Sequence, residues 1–304
     1  MSGELAAAEA AAQSLPPPPP YEASQSFTGS QAIEKLHQII ADNRLHAWHG
    51  GEASLQAVVR RASSVDFFEL ARRWRLAPVV AFDLVSLALF DVVFFVDDSG
   101  SMLQENGDRI DDLKFILSKA AEVMTLFDDD GVQVRFMNSD VAGDGICTAA
   151  QVGDLVAHAR FAGMTPIGTQ FKRKVLDPLV VEPARRGTLR KPVLAIIITD
   201  GEPTQEPPRT LRNVILEAKN ALAHTACGPG ALSIQIGQVG TDIKAQQFLA
   251  QLDNDPEVGG MIDCTSNYEM ESEELMAKGV ELTPELWLMK LCLGAVDRGY
   301  DNTD

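Results

Sequence analysis

The chain is predicted to be an α/β protein with a doubly wound, mostly parallel sheet of about six strands, Rossmann-like in its winding and flanked by helices on both faces. Three observations lead there. From Asp91 onward, apolar strand-like runs alternate with helical stretches, as βαβ units require. The runs Asp91-Val-Val-Phe-Phe-Val96 and Val193-Leu-Ala-Ile-Ile-Ile-Thr199 are apolar except for Asp91 at the start of the first and Thr199 at the end of the second, the pattern of strands buried on both faces. Both runs lead into an aspartate, Asp97 and Asp200, and ligands of open α/β sheets gather at such carboxyl ends near the topological switch point.

The elements follow in order. Residues 1–30 are low in complexity, with alanines, Pro16 to Pro20 and a Ser/Gln/Thr/Gly stretch. Their proline run favours an extended rod with no packed core, so a disordered Pro-rich tail is expected. Residues 31–76 form a helical N-terminal arm. Ile33, Leu36, Ile39 and Ile40 recur at helical spacing, and Leu55, Val58, Val59 and Ala62 repeat the pattern. Ser30 is the expected N-cap. Residues 77–90 are an apolar connector, expected as an extra strand or short helix against the sheet. With β-like residues 91–96 the stretch is long enough to span a bilayer. Asp83 and Asp91 argue against that, at about 2.5–3.5 kcal/mol each near mid-bilayer.

Residues 91–304 form the sheet domain. After the strand at 91–96 come a helix at 108–127, a strand at 132–137, a short edge strand at 145–148 and a helix at 149–159. A helix at 170–179 precedes the strand at 193–199. Helices at 210–226, 242–252 and 284–298 and strands at 232–239 and 261–265 complete the alternation.

The stretch Phe94-Phe-Val-Asp-Asp-Ser-Gly-Ser-Met102 carries the chemistry. Asp97, Ser99 and Ser101 fall at alternate positions just beyond a buried strand, and small hydroxyls beside one carboxylate suit a hard divalent cation at about 2.1 Å. Gly163-Met-Thr-Pro-Ile-Gly-Thr169 adds the hydroxyl of Thr165 on a Gly- and Pro-bounded loop, and Ile198-Thr-Asp-Gly201 adds Asp200. On these three ordered motifs the chain resembles the von Willebrand factor type A family, whose metal-ion-dependent adhesion site has the form D-x-S-x-S…T…D. The resemblance runs from about residue 90 to the C-terminus.

The resemblance implies an intracellular-type domain of that fold, with Mg²⁺ (or Mn²⁺) at Asp97, Ser99, Ser101, Thr165 and Asp200. Ser99 and Ser101 would bind the ion directly, Thr165 directly or through water, while Asp97 and Asp200 would orient waters and serines. A cation so held stays electrophilic and captures an Asp or Glu of a partner protein. Asp98 occupies a variable position of the motif and receives no ligand role. Glu202 and Glu206 are read as solvated loop residues at the rim. The bland alternative for the five positions is a set of turns and helix caps.

Other chemistry finds less support in the residues. A metal-dependent hydrolase or phosphatase with Asp97 as nucleophile is the enzymatic rival, but the D-x-D of haloacid-dehalogenase-like phosphatases has Ser99 at its second position. No P-loop and no G-x-G-x-x-G fingerprint occurs. The expectation is therefore a binding module and no enzyme, with a metal-free scaffold as third possibility.

The formal charge is −17, and it is uneven: residues 1–90 hold 9 acidic and 7 basic side chains, residues 91–304 hold 34 and 19. Such a surface repels nucleic acid and anionic membranes. Cys147, Cys227, Cys264 and Cys292 lie far apart without zinc spacing and are expected as reduced thiols. The first residues lack a basic and then apolar leader pattern, which makes the cytoplasm the default location. Pro18-Pro19-Pro20-Tyr21 fits the P-P-x-Y form read by WW domains, so Pro18, Pro19 and Tyr21 are weak candidates for a second partner contact; a plain spacer is the competing reading.

Overall fold

Apolar β-branched runs can be buried on both sides only inside a sheet covered twice, and the computed structural model realises this arrangement. It describes residues 27–301 apart from Gly50, Asp128, Asp129, Lys278 and Val280. Ahead of the sheet come helices α1 (Gly29–Asp42), α2 (Glu52–Ala62), α3 (Phe67–Arg73) and α4 (Pro78–Asp83). Then follow β1 (Asp91–Val96), α5 (Asp108–Phe127), β2 (Val132–Phe136), β3 (Ala142–Ile146) and α6 (Ala149–His158). Helix α7 (Ile167–Phe171) runs into a π-helical stretch (Lys172–Val181) and α8 (Glu182–Arg186). The remainder is β4 (Val193–Thr199), α9 (Thr210–Ala223), β5 (Leu232–Gln238), α10 (Ile243–Asp253), β6 (Ile262–Thr265), α11 (Tyr268–Ala277) and α12 (Pro284–Leu293).

Among the described residues the strands form one six-stranded sheet in the order β3-β2-β1-β4-β5-β6. All neighbours are parallel except β2 and β3, which run antiparallel. The order reverses between β1 and β4, so the crevice beyond their carboxyl ends is the switch point of the sheet. Successive side chains alternate between two apolar clusters. Val92, Phe94, Val96, Leu194, Ile196 and Ile198 face α5, α12 and the N-terminal helices. Val93, Phe95, Val193, Ala195 and Ile197 face the π-helical stretch, α9 and α10.

The N-terminal helices share the first cluster. Leu36, Leu45 and Trp74 are buried in it together with Phe94 of β1 and Leu288 of α12. The connector is helical: α4 is followed by a 3-10 turn over Leu84–Leu89 whose residues are all buried. Among the described residues no helix is long and apolar enough to cross a membrane.

Several boundaries differ from expectation for local reasons. The cap of α1 is Thr28 rather than Ser30, because Thr28 and Gln31 make a reciprocal capping box. Phe27 stacks on Phe82 at 4.3 Å between ring centroids, so packed structure begins before residue 31. The edge strand is Ala142–Ile146 and not 145–148. Its sequence Ala-Gly-Asp-Gly-Ile has little strand propensity; Arg135 of β2 fixes it by donating to Gly143 O (3.1 Å) and Asp144 Oδ1 (2.7 Å). The helix placed at 170–179 starts at Ile167 and continues to Arg186 through Pro178, which an α-helical ladder would not accept but the π-helical stretch contains. The last long helix stops at Leu293, short of 298. Helix α11 was not anticipated, since Tyr268-Glu-Met-Glu-Ser-Glu-Glu-Leu-Met-Ala277 has almost no apolar stripe. Pro18, Pro19 and Tyr21, with most of the expected tail, lie outside the described residues.

Candidate metal centre

The site grows out of the ends of β1 and β4. The two strands pair in register up to Val96 and Ile198, and Asp97 N still donates to Ile198 O at 2.8 Å. Asp97 and Asp200 therefore leave the sheet side by side. Asp97 has no exposed surface, and both its oxygens are engaged: Oδ1 accepts from Ser99 N (2.8 Å) and Oδ2 from Thr199 Oγ1 (2.7 Å). Ser99 Oγ lies 2.9 Å from Ser101 Oγ, and Ser101 Oγ donates to Asp200 Oδ1 at 2.9 Å. Asp97, Ser99, Ser101 and Asp200 thus form one hydrogen-bonded run across the switch point.

Thr165 joins this group through backbone, not through its hydroxyl. Gly100 N donates to Gly163 O (3.2 Å) and Ala162 N to Asp98 O (2.8 Å), which fastens the Thr165 loop to the loop after β1. On its other side, Thr165 N donates to Thr204 Oγ1 (2.8 Å) and Thr204 N to Thr165 O (2.9 Å). The three predicted segments are therefore laced together, with Thr165 itself buried between its neighbours.

Asp98 points elsewhere. Its carboxylate accepts from Asn138 N (2.6 Å) and Ser139 N (2.7 Å), clasping the end of β1 to the turn after β2. Glu206 is more than a solvated rim residue. It accepts from Gly168 N (2.8 Å), Thr169 N (2.9 Å) and Thr169 Oγ1 (2.8 Å), and so closes the N-terminus of α7.

Sequence reasoning missed three participants. Thr199 is the last residue of β4 and reads as one more β-branched strand position. Glu105 and Arg109 sit on the turn and helix that follow the serines. Arg109, buried at 7% exposure, pairs with Asp200 Oδ2 through Nη1 and with Glu105 Oε1 through Nη2 (2.5 Å). Burial alone would lower its pKa; the hydrogen bonds to Glu105 and Asp200 carry it above its ordinary value. The signal for Arg109 is weak in one dimension, because a basic residue in the first turn of a helix looks solvated.

Burial, and next the charge of Asp200, push the Asp97 carboxyl up to about 6, against the pull of its Thr199 and Ser99 hydrogen bonds. With both carboxyls ionised, the pair holds negative charge that Arg109 only partly offsets. All potential donors are oxygens: the hydroxyls of Ser99 and Ser101, the nearby Thr165 loop, and the carboxylates. That set fits a hard divalent cation such as Mg²⁺ in its chemistry. Among the described residues no group of three or more His, Cys, Asp or Glu side chains is arranged to hold a metal ion, so an ion here would rest on hydroxyls and water.

No protein-family model matches the sequence, and no curated protein matches it. Among solved structures the chain is similar to proximal thread matrix protein 1 from the mussel byssus, with 18% identity and a TM-score of 0.42 over 62% of this chain. The aligned part spans 46% of that protein's length, and a likeness so distant has no bearing on the site.

Proposed function

We propose that the chain carries a von Willebrand factor type A domain that binds Mg²⁺ (or Mn²⁺) at the switch point and captures an acidic side chain of a partner protein. The supporting observation is the hydrogen-bonded run Asp97–Ser99–Ser101–Asp200 at the ends of the two central strands. Ser99 and Ser101 would hold the ion, with Thr165 completing the oxygen set and Asp97 and Asp200 balancing its charge. The bound ion would supply a Lewis-acidic centre for a partner's carboxylate. Among the described residues none of the four cysteines is placed in a disulfide, which suits a reducing compartment such as the cytoplasm.

The hydrolase alternative needs Asp97 to attack a substrate. A carboxylate with no exposed surface and both oxygens engaged by Ser99 and Thr199 is poorly placed for that. The metal-free scaffold has one observation in its favour, namely that Arg109 already gives Asp200 a cationic partner. Calorimetric titration of EDTA-stripped protein with Mg²⁺ and Mn²⁺ separates the metal-binding reading from the metal-free scaffold. The expected outcome is binding by the wild type that Ser99→Ala abolishes and Thr165→Ala weakens, with circular dichroism unchanged. No heat of binding from a folded wild type would select the scaffold.

A further inference from the structure

Resting on the metal-binding reading above, we infer that Arg109 is an internal counter-cation that couples metal binding to ligand capture, making the loaded site cationic and therefore dependent on an acidic ligand.

Arg109 is firmly placed. It lies in the first turn of α5, and its guanidinium is aimed at Asp200 from the side opposite Ser101 Oγ, which takes the other carboxylate oxygen. A Cβ at Gly240 would come within 2.6 Å of Arg109 Nε, so the turn after β5 leaves room for the guanidinium by having no side chain there. Arg109 Nε itself is buried without a hydrogen-bond partner. Ahead of it, Glu105, Asn106 and Gly107 run consecutively at positive φ (56°, 57° and 92°), a conformation L-residues adopt at a cost. That strained turn presents Glu105 to Arg109. A charged side chain kept in the interior with an unsatisfied donor and a strained support is held there against its own preference.

Its consequence follows from charge. Asp97 and Asp200 carry two negative charges, and a divalent ion alone would neutralise them, leaving little attraction for another anion. With Arg109 present the buried group totals minus one, so the ion brings it to plus one. The Glu105 side chain, 37% exposed, keeps much of its charge solvated by water and offsets this only in part. Asp98 does not enter the balance, because Asn138 and Ser139 N–H groups hold it at the β1–β2 side and Lys174 lies near enough to feel its charge. Arg109 thus weakens the empty site's hold on a cation and strengthens the loaded site's hold on a carboxylate. By linkage each ligand then tightens the other by the same factor.

The test is Mn²⁺ affinity of the full chain, read by electron paramagnetic resonance of free Mn²⁺, with and without glutarate as a carboxylate probe. Arg109→Gln is expected to tighten Mn²⁺ alone by about tenfold or more and to abolish the enhancement by glutarate. Arg109→Lys keeps the charge and is expected to retain the wild-type pattern. Glu105→Gln, a half-exposed change that decides the matter even if Arg109→Gln does not fold, is expected to weaken Mn²⁺ binding several-fold. Wild-type affinity in Glu105→Gln, and in Arg109→Gln where that variant folds, with Ser99→Ala still abolishing binding, would overturn the role of Arg109 and leave the metal site standing. Absence of Mn²⁺ binding in the wild type and in Arg109→Gln alike would overturn both the metal site and this coupling.

Discussion

Thr199 and Ser99 let Asp97 exist as a carboxylate without any exposed surface. A buried carboxylate is tolerated when donors face it, and here one backbone N–H and one hydroxyl do so. Thr199→Val keeps the shape of the strand end and removes the hydroxyl, leaving Asp97 Oδ2 without its donor. Loss of such a donor costs about 1–3 kcal/mol, which urea denaturation of the EDTA-treated protein would show as a lowered midpoint with unchanged slope. An unchanged midpoint would mean that Asp97 is protonated or otherwise served. At this scale the sequence displayed Asp97, Ser99 and Ser101 by their alternate spacing after an apolar strand, Asp200 by its place after a second such strand, and Thr165 by its Gly- and Pro-bounded loop. It did not display Arg109, whose partner Asp200 lies 91 positions away and whose burial depends on the glycine at position 240. Charge pairs between distant loops leave no periodic trace.

Among the elements, α7 connects the site to the rest of the fold. It begins two residues after Thr165, and Glu206, from the loop beyond Asp200, closes its first turn. Thr165 is thereby fixed from both directions, by Thr204 and by the helix that follows it. Glu206→Ala would leave Gly168 N and Thr169 N unpaired at a helix N-terminus, at a cost of about 0.5–2 kcal/mol. It should also speed amide hydrogen exchange at Gly168 and Thr169 and weaken Mg²⁺ binding through the loosened Thr165 loop; unchanged exchange would separate Glu206 from the site. The central strands and the long helices were legible because their apolar periods are unambiguous, as in Val193–Thr199 and Asp108–Phe127. The glycine-rich edge strand was misplaced because pairing to Arg135, not local propensity, decides it, and the acidic α11 was missed because its good helix formers make no apolar stripe. The π-helical stretch through Pro178 likewise has no simple sequence period.

For the whole molecule, the decisive fact is where the N-terminal helices bury their apolar faces. Leu36 of α1 and Trp74 after α3 belong to the same cluster as Phe94 of β1, Leu117 of α5 and Trp287 of α12. Polar contacts cross the same boundary: Lys35 reaches Asp297 (2.5 Å), Asn43 Nδ2 donates to Val296 O (2.7 Å), and Tyr300 Oη donates to Asp83 Oδ2 (2.9 Å). One end of the chain is thus held to the other across a single apolar layer, on the sheet face beneath the site. A truncation of Leu36, which has no exposed surface, removes contacts from that layer and leaves a cavity, at about 2–5 kcal/mol for Leu→Ala. If the helices and the sheet unfold as one cooperative unit, the loss falls on both together. Leu36→Ala is then expected to shift one thermal transition downward, with far-ultraviolet ellipticity and tryptophan fluorescence moving in step. Two separated transitions, the lower one sensitive to Leu36 and the upper one not, would show instead that the sheet stands without its N-terminal helices. The site at the strand ends would in that case be built on the sheet alone, and Mg²⁺ would raise only the upper transition.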